Sequence, residues 1–340
     1  MRILLIGGTG TISSAITELL SARGTGEIWV LNRGKTSTAL PDGVKQLVAD
    51  AYDKTSFEQA IDGLEFDVAC HFVGFDVNQV IVAHDVLFSK VKQFIYISSA
   101  SAYQKPPKTW LITEDVPLEN PYWEYSRKKA ECESYLMSKF HSEGFPVTIV
   151  RPSHTYCERS VPVGMHGNIG KSWTVLQRMI EGKSVIVHGD GTSLWAMTDS
   201  RDFAKAFVAL FGNSAAIGQA FHITTDQSIS WNEIYLDIAK ALSINLKREV
   251  RPILKHVSSD MIVREGLTFG YTDLEGNLIG DKANSVVFDN SKIRTILPGF
   301  KAEITHLDGT IRAVNYILAH PELQQFDPIF DSFCDHLAAL

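Results

Sequence analysis

An apolar run near the start of the chain breaks on glycine: Arg2-Ile3-Leu4-Leu5-Ile6 is followed by Gly7-Gly8-Thr9-Gly10-Thr11-Ile12-Ser13. Few short patterns limit a fold so strongly. A short aliphatic run ended by glycine reads as a strand buried on both faces, and Thr11–Ala22 after it carries helical periodicity. The glycines let the backbone turn tightly and let a phosphate approach it. The helix start adds unpaired N–H groups and the positive end of a dipole. Gly7, Gly10 and the first helical residue, Thr11, are therefore candidate contacts to a dinucleotide pyrophosphate. The competing reading is an ordinary strand-to-helix turn.

The alternation continues. Strand-like runs recur at Glu27–Leu31, Lys45–Val48, Val68–Phe72, Gln93–Ser98 and Pro146–Val150. Helix-like segments lie between them at Ser56–Ile61, Asn78–Phe88 and about Tyr122–Glu143. Strands separated by helices imply βαβ units and a parallel sheet, and right-handed crossovers wind it doubly. The expected fold is α/β, a Rossmann-type doubly wound parallel sheet over residues 1–160. After Arg151 the pattern is less regular. Helices are expected at Trp173–Glu181, Arg201–Phe211, Trp231–Leu242 and Ile304–Leu318, with glycine-containing loops at Val163–Lys171, Gly189–Thr192 and Gly266–Gly280. Ser230 and Glu233 make a capping box. Residues 161–340 read as a smaller irregular α/β lobe that binds substrate and shares sheet-completing segments with the first. No linker separates them, so one rigid unit with two lobes is expected.

Composition narrows the function. Hydrophobic residues make up 45% and charged residues 21%, ordinary values for a globular chain. Lys+Arg 32 against Asp+Glu 39 gives a net charge of −7, a poor footprint for nucleic acid. The run Ile3–Ile6 is far shorter than a secretory or membrane segment, and no later stretch has that character. The four cysteines show no metal spacing and no CxxC, which reads as reduced thiols in a cytoplasmic protein with no bound metal.

The second strand ends Leu31-Asn32-Arg33-Gly34-Lys35. A carboxylate here would bind the adenosine ribose hydroxyls and favour NAD. Instead Asn32 is followed by a guanidinium and an ammonium, and Arg33 and Lys35 suit a 2′-phosphate. NADP is favoured, with NAD the alternative if Arg33 only stacks on adenine. Asp50-Ala51, after the third strand, flanks the adenine or forms a solvated turn.

Tyr125 and Lys129 stand four apart on one helix face. A tyrosine with its ordinary pKa near 10 is a poor base at neutral pH; a nearby lysine and a cationic nicotinamide would lower it. Upstream, a strand ends in Ser98-Ser99-Ala100-Ser101-Ala102-Tyr103, with hydroxyls at the carboxyl end where such sheets bind ligands. Ser99 is placed to hold a substrate oxygen while Tyr125 moves its proton.

Glycine turn, serine-ended strand and YxxxK, in this order, resemble the short-chain dehydrogenase/reductase superfamily. The length and C-terminal lobe resemble its extended branch, the NAD-dependent epimerase/dehydratase family. Pro121–Glu131 looks like the family's catalytic helix, Val150–Tyr156 like its nicotinamide-side loop, and Gly189–Thr192 like the start of its second-lobe strand. The resemblance reaches to about residue 320. It implies Ser99, Tyr125 and Lys129 as catalytic, and Gly7, Gly10, Ile12, Arg33, Asp50, Val73 and Pro152 beside the cofactor. Ser13 replaces the fingerprint's third glycine and is expected to tighten helix–strand packing. His154 replaces an asparagine. Trp195 stands where sugar-nucleotide members carry a diphosphate-gripping arginine. That counts against a UDP- or GDP-sugar unless Arg178, Arg201, Lys292 or Arg294 compensates. Ala100-Ser101 replaces the acidic pair of the 4,6-dehydratases.

Among other candidates, Ser101 and His154 are substrate contacts, and Trp123 and Trp195 pocket walls. His166 faces the same crevice or is structural. Trp110, Trp173 and Trp231 read as packing, Cys157 as a buried thiol, and Glu114-Asp115 as a solvated turn. The resulting expectation is hydride transfer at a hydroxyl or carbonyl carbon of a sugar-like small molecule, as an epimerase or oxidoreductase. The alternatives are an NADPH-dependent carbonyl reductase on a non-nucleotide substrate, and an idle module that senses cofactor or binds RNA, as in the chloroplast stem-loop RNA-binding proteins that resemble this chain. The resemblance also implies a homodimer through Asn78–Phe88 and the Tyr125 helix.

Overall fold

Alternation along the first strand sets the architecture. In β1 (Arg2–Ile6), Ile3 and Leu5 belong to one hydrophobic cluster and Leu4 and Ile6 to another. A strand buried on both faces needs helices on both sides. The computed structural model describes residues 1–35 and 39–340, and it supplies them.

After β1 come α1 (Thr11–Arg23), β2 (Glu27–Asn32), β3 (Val44–Val48), α2 (Lys54–Ala60), β4 (Val68–His71), α3 (Val77–Leu87) and β5 (Phe94–Ile97). Then follow β6 (Leu111–Ile112), α4 (Glu124–Glu143), β7 (Val147–Pro152) and β8 (His154–Tyr156). The second lobe continues with α5 (Trp173–Glu181), β9 (Ser184–His188), β10 (Leu194–Trp195), β11 (Met197–Asp199), α6 (Ser200–Ala209) and β12 (Ala220–Ile223). Beyond residue 224 the chain is largely helical.

The central sheet has seven strands in the order β12-β7-β5-β4-β1-β2-β3, all parallel. Helices α1 and α6 cover one face; α2, α3 and α4 cover the other. Strand order reverses between β1 and β4, which opens a crevice at their carboxyl ends. The last strand, β12, comes from beyond residue 160. Its four residues, Ala220-Phe221-His222-Ile223, carry a polar centre and little strand pattern. They extend because β7 offers a free edge, and His222 is satisfied by the carbonyl of Asp289 at 2.7 Å.

Several expectations change. Gly266–Gly280 is not an open loop: a helix, Ser259–Thr268, runs into it, and Glu275–Lys282 forms a wide π-type helical turn. Trp110 is 75% exposed and packs no core. Glu114-Asp115 does form a turn with Asp115 exposed, but the Glu114 side chain is largely buried and accepts from the His222 backbone N–H at 3.1 Å. The Ser230–Glu233 capping box is present. Among the described residues, no helix is long and apolar enough to cross a membrane.

Candidate active site

The three glycines of the first turn do different work. Gly7 has φ +85°, and a Cβ there would meet Val73 Cγ1 at 2.5 Å. A Cβ on Gly8 would meet Val30 Cγ2 at 2.8 Å, so that glycine lets helix and strand pack. Around Gly10 only Ser13 Oγ, at 3.4 Å, would be touched. The space over Gly10 is thus left open to the crevice. Ser13 does not act through helix–strand packing alone. Its hydroxyl donates to the Gly7 carbonyl at 2.6 Å and accepts the Gly10 N–H at 2.8 Å, closing the turn on itself. The N–H groups of Thr11 and Ile12 have no carbonyl to bond within the helix. An open cradle at a helix start with spare N–H donors fits a dinucleotide pyrophosphate.

From this turn a cavity of about 300 Å³ extends over β2 and β3. Asn32, Arg33, Lys35, Asp50, Ala51 and Val73 all line it. The Asn32 side-chain Oδ1 accepts from Gly34 N–H at 2.9 Å and Gln46 Nε2 at 2.8 Å, which holds the turn that presents Arg33 and Lys35. Asp50 caps its own turn through Tyr52 N–H at 3.0 Å. Tyr52 is a wall that sequence reasoning missed; its hydroxyl donates to the Val73 carbonyl at 2.6 Å.

In the other direction a cleft of about 510 Å³ passes Gly10, Thr11 and Ile12 and reaches Ser99, Tyr125, Lys129 and Pro152. Lys129 is 1% exposed, and its ammonium donates to the carbonyls of Gly74 at 2.7 Å and Ile97 at 2.8 Å. Burial brings it down to about 8. Ser99 meets Ser101 Oγ at 2.8 Å, and Ser126 donates to Ser101 at 2.8 Å, so three hydroxyls form a chain ending at Ser99. Ser126 also escaped sequence reasoning. Tyr125 departs from expectation: burial pushes its phenol above the ordinary value, and Asp281 adds to that. The opposing pull comes from Ser99, not from Lys129. Below Gly74 lies His71, fully buried, with neither ring nitrogen bonded and its imidazole held neutral, down to about 3, by burial and the Lys129 charge.

Beyond Tyr125 the cleft opens into a cavity of about 310 Å³. Ser101, Trp123, His154 and Trp195 line it together with Ser99, Tyr125 and His166. Trp123 Nε1 donates to Asp273 at 2.9 Å, and Trp195 packs on Trp231 at 5.7 Å between ring centroids. Burial holds the His154 imidazole neutral, down to about 3. The far wall comes from Asn277, Asp281, Lys282, Val286 and Phe288. No spacing or periodicity in that segment announces it.

The cations considered as replacements for the missing arginine are engaged elsewhere. Arg178 pairs with Asp331 at 2.5 Å and Asp335 at 2.7 Å, Arg201 with Asp199 at 3.3 Å, and Arg294 with Asp226 at 2.6 Å. Lys292 lies over the Phe221 ring. None of the four lines the cavity. A larger hollow of about 590 Å³, around Met1, Glu27, Asp67 and Lys92, contains none of the groups described above. No cluster of metal-ligating side chains occurs among the described residues.

Known proteins place this geometry. Over 253 residues the chain is 26% identical to the chloroplast stem-loop binding protein of 41 kDa b of Arabidopsis thaliana, covering 71% of this chain and 63% of that protein. The chain spans less than two thirds of the length of the curated relatives it matches. Its fold superposes on epimerase Mth375 of Methanothermobacter thermautotrophicus with a TM-score of 0.74 at 15% identity, over 95% of this chain and 94% of that one. It superposes on UDP-glucose 4-epimerase of Bifidobacterium longum, solved with NAD+ and UDP, with a TM-score of 0.72 at 20% identity, over 95% and 99%. Residues 3–224, from the first strand of the sheet to the end of its last, match the model of one family. The chain belongs to the NAD dependent epimerase/dehydratase family.

Proposed function

We propose that this protein is an NAD(P)-dependent epimerase or oxidoreductase acting at a hydroxyl or carbonyl carbon of a sugar or sugar-nucleotide-like substrate. One observation carries the reading. Ser99 and Tyr125 line both the cleft that leads from the glycine turn and the cavity beyond it, and Lys129 lines the cleft beside them. Bound NAD(P) supplies a hydride acceptor or donor at its nicotinamide. Ser99, backed by Ser101 and Ser126, orients the substrate oxygen. Tyr125 takes or returns its proton. Lys129, fixed by two carbonyls, keeps a third N–H for the nicotinamide ribose. A positive charge on the nicotinamide would lower the Tyr125 pKa, against the upward push of burial. Neutral His154 can give or accept a hydrogen bond at the substrate.

Tyr125→Phe tests the assignment. Turnover should fall by about 10²–10⁴-fold while cofactor affinity is retained; unchanged turnover would remove Tyr125 from the chemistry. The cofactor we infer is NADP in preference to NAD, from Arg33 and Lys35 at the mouth of the adenosine cavity. Arg33→Asp should reverse the ratio of the two dissociation constants, read by fluorescence titration. Cofactor that copurifies and does not exchange would favour epimerisation; free exchange with net oxidation would favour a reductase, including one acting on a non-nucleotide carbonyl.

A second reading comes from the stem-loop binding relative: the same scaffold as an RNA-binding module. The net charge of −7 and the presence of Ser99, Tyr125 and Lys129 together weigh against it. RNA binding without any cofactor affinity would put it first.

A further inference from the structure

We propose that Ser101 and Ser126 are positioning residues: they form a one-way chain of hydroxyls that aims the proton of Ser99 at Tyr125. This rests on the reading of Tyr125 as the proton-transfer group and adds the device that readies the phenol for that role.

The chain runs Ser126, Ser101, Ser99. Ser126 Oγ donates to Ser101 Oγ at 2.8 Å, and Ser101 Oγ lies 2.8 Å from Ser99 Oγ. A hydroxyl has one proton and two lone pairs. One lone pair of Ser101 receives the Ser126 proton, so the proton of Ser101 itself goes on to Ser99. Ser99 Oγ also accepts the Ser101 backbone N–H at 3.2 Å. Both lone pairs of Ser99 are then filled, and its proton is the one hydrogen-bonding capacity left. Ser99 lines the cleft and the cavity together with Tyr125, and it is the group that draws the phenol down against burial. Ser99 therefore donates and does not accept, so a substrate hydroxyl has Tyr125 as the acceptor of its proton.

Each link is held in place. Ser126 follows Tyr125 in the first turn of α4, and successive helical residues point about 100° apart. Tyr125 thus faces the crevice while Ser126 faces the serine segment. A serine in a helix commonly bonds the backbone of its own preceding turn; Ser126 instead reaches Ser101, 25 residues away. The Ser101 carbonyl accepts from Asn120 Nδ2 at 2.8 Å, and the same amide donates to the Gly280 carbonyl at 2.7 Å. Ser101 is 7% and Ser126 1% exposed, so solvent offers little to replace a broken or reversed link.

Lys129 does not duplicate this chain. Its ammonium bonds the carbonyls of Gly74 and Ile97 and lies 5.8 Å from the centre of the Tyr125 ring. The other charged or titratable groups around the phenol are Asp281 and Lys282 of the turn Glu275–Lys282, His154 of β8, and His166. Among the described residues, none of them bonds the hydroxyl of Ser101 or Ser126. A change at either serine therefore reaches Tyr125 through Ser99 and leaves the surrounding charges as they are.

The test is titration of the Tyr125 phenol in the full chain loaded with NADP+, read as near-ultraviolet phenolate absorbance with Tyr125→Phe as the blank. Ser99→Ala and Ser101→Ala should each raise the midpoint by about one pH unit or more, the scale of a hydrogen bond to a charged group. Ser126→Ala should raise it by about half a unit, roughly a threefold loss of phenolate at fixed pH. Because the serines act in series, the double variant Ser101→Ala with Ser126→Ala should shift the midpoint no further than Ser101→Ala alone. NADP+ affinity, read by fluorescence, should be unchanged in both single variants. Midpoints of Ser101→Ala and Ser126→Ala that match the wild type overturn the proposal. So do shifts that add in the double variant, as two independent packing defects would. If Ser126→Ala does not fold, Ser101→Ala against the wild type decides the matter by the same criterion. A wild-type phenol that stays protonated up to about pH 10, its ordinary value, would instead overturn the reading of Tyr125 on which the chain rests.

Discussion

At the scale of single residues, the glycine turn separates conformation from room. Gly7 needs its positive φ and its contact with Val73, so Gly7→Ala should lower both stability and cofactor affinity. Gly10 has an extended backbone and open space above it. Gly10→Ala should cost less than about 1 kcal/mol of stability, since alanine is only a poorer helix N-cap. It should nevertheless weaken cofactor binding tenfold or more. Urea titration alongside fluorescence titration of cofactor checks both. Equal affinity for Gly10→Ala and the wild type would mean that no phosphate sits over that residue. The glycine motif was readable because it depends on neighbours in the chain. The wall formed by Asn277, Asp281 and Phe288 was not, since it meets Ser99 and Tyr125 from more than 150 positions away in sequence.

At the scale of elements, helix α4, which carries Tyr125 and Lys129, is anchored by a buried ion pair. Arg151 of β7 bonds both oxygens of Glu133, its Nη2 at 2.7 Å, and also reaches the Tyr103 hydroxyl at 3.2 Å and the Glu114 carbonyl at 2.9 Å. Glu133 is 3% exposed, so its removal leaves a buried guanidinium without countercharge. Glu133→Ala should destabilise the protein by about 3–5 kcal/mol, measured by the urea midpoint. A loss below about 1 kcal/mol would show that the pair is solvated. Helix α4 itself was legible to within two residues at its start, because twenty residues give a long periodic signal. Strand β12 was missed because four residues do not, and the edge that makes them extend lies about seventy residues back in the chain.

At the scale of the molecule, buried histidines make stability depend on pH. Burial lowers His71 from 6.5 to about 3 and His188 to about 4, and both are at most 2% exposed. Their folded-state pKa values lie below those of the unfolded chain, so on acidification the unfolded chain binds protons first. Their contribution is complete above pH 6.5 and is lost as pH falls from there toward 3–4. At pH 5 each should cost on the order of 1–2 kcal/mol of stability. Urea midpoints at pH 7.5 and 5.0 measure this, and replacing His188 with Gln should shrink the difference. A flat profile across that range would contradict the buried, neutral state of both rings.

What the sequence by itself determined are the parts that local rules govern. A buried strand must be apolar on both faces, a tight turn at a helix start must use glycine, and a phenol and an ammonium four apart must share a helix face. Those rules pick out Gly7, Gly10, Asn32, Arg33, Asp50, Ser99, Tyr125 and Lys129, which line the connected cavity and cleft around the glycine turn. Only the tertiary structure decided the far wall of the cavity beside Tyr125 and the burial that raises Tyr125. The physical reason is that burial and electrostatic pairing depend on what packs together across the two lobes, and the residues that meet there are up to about 190 positions apart.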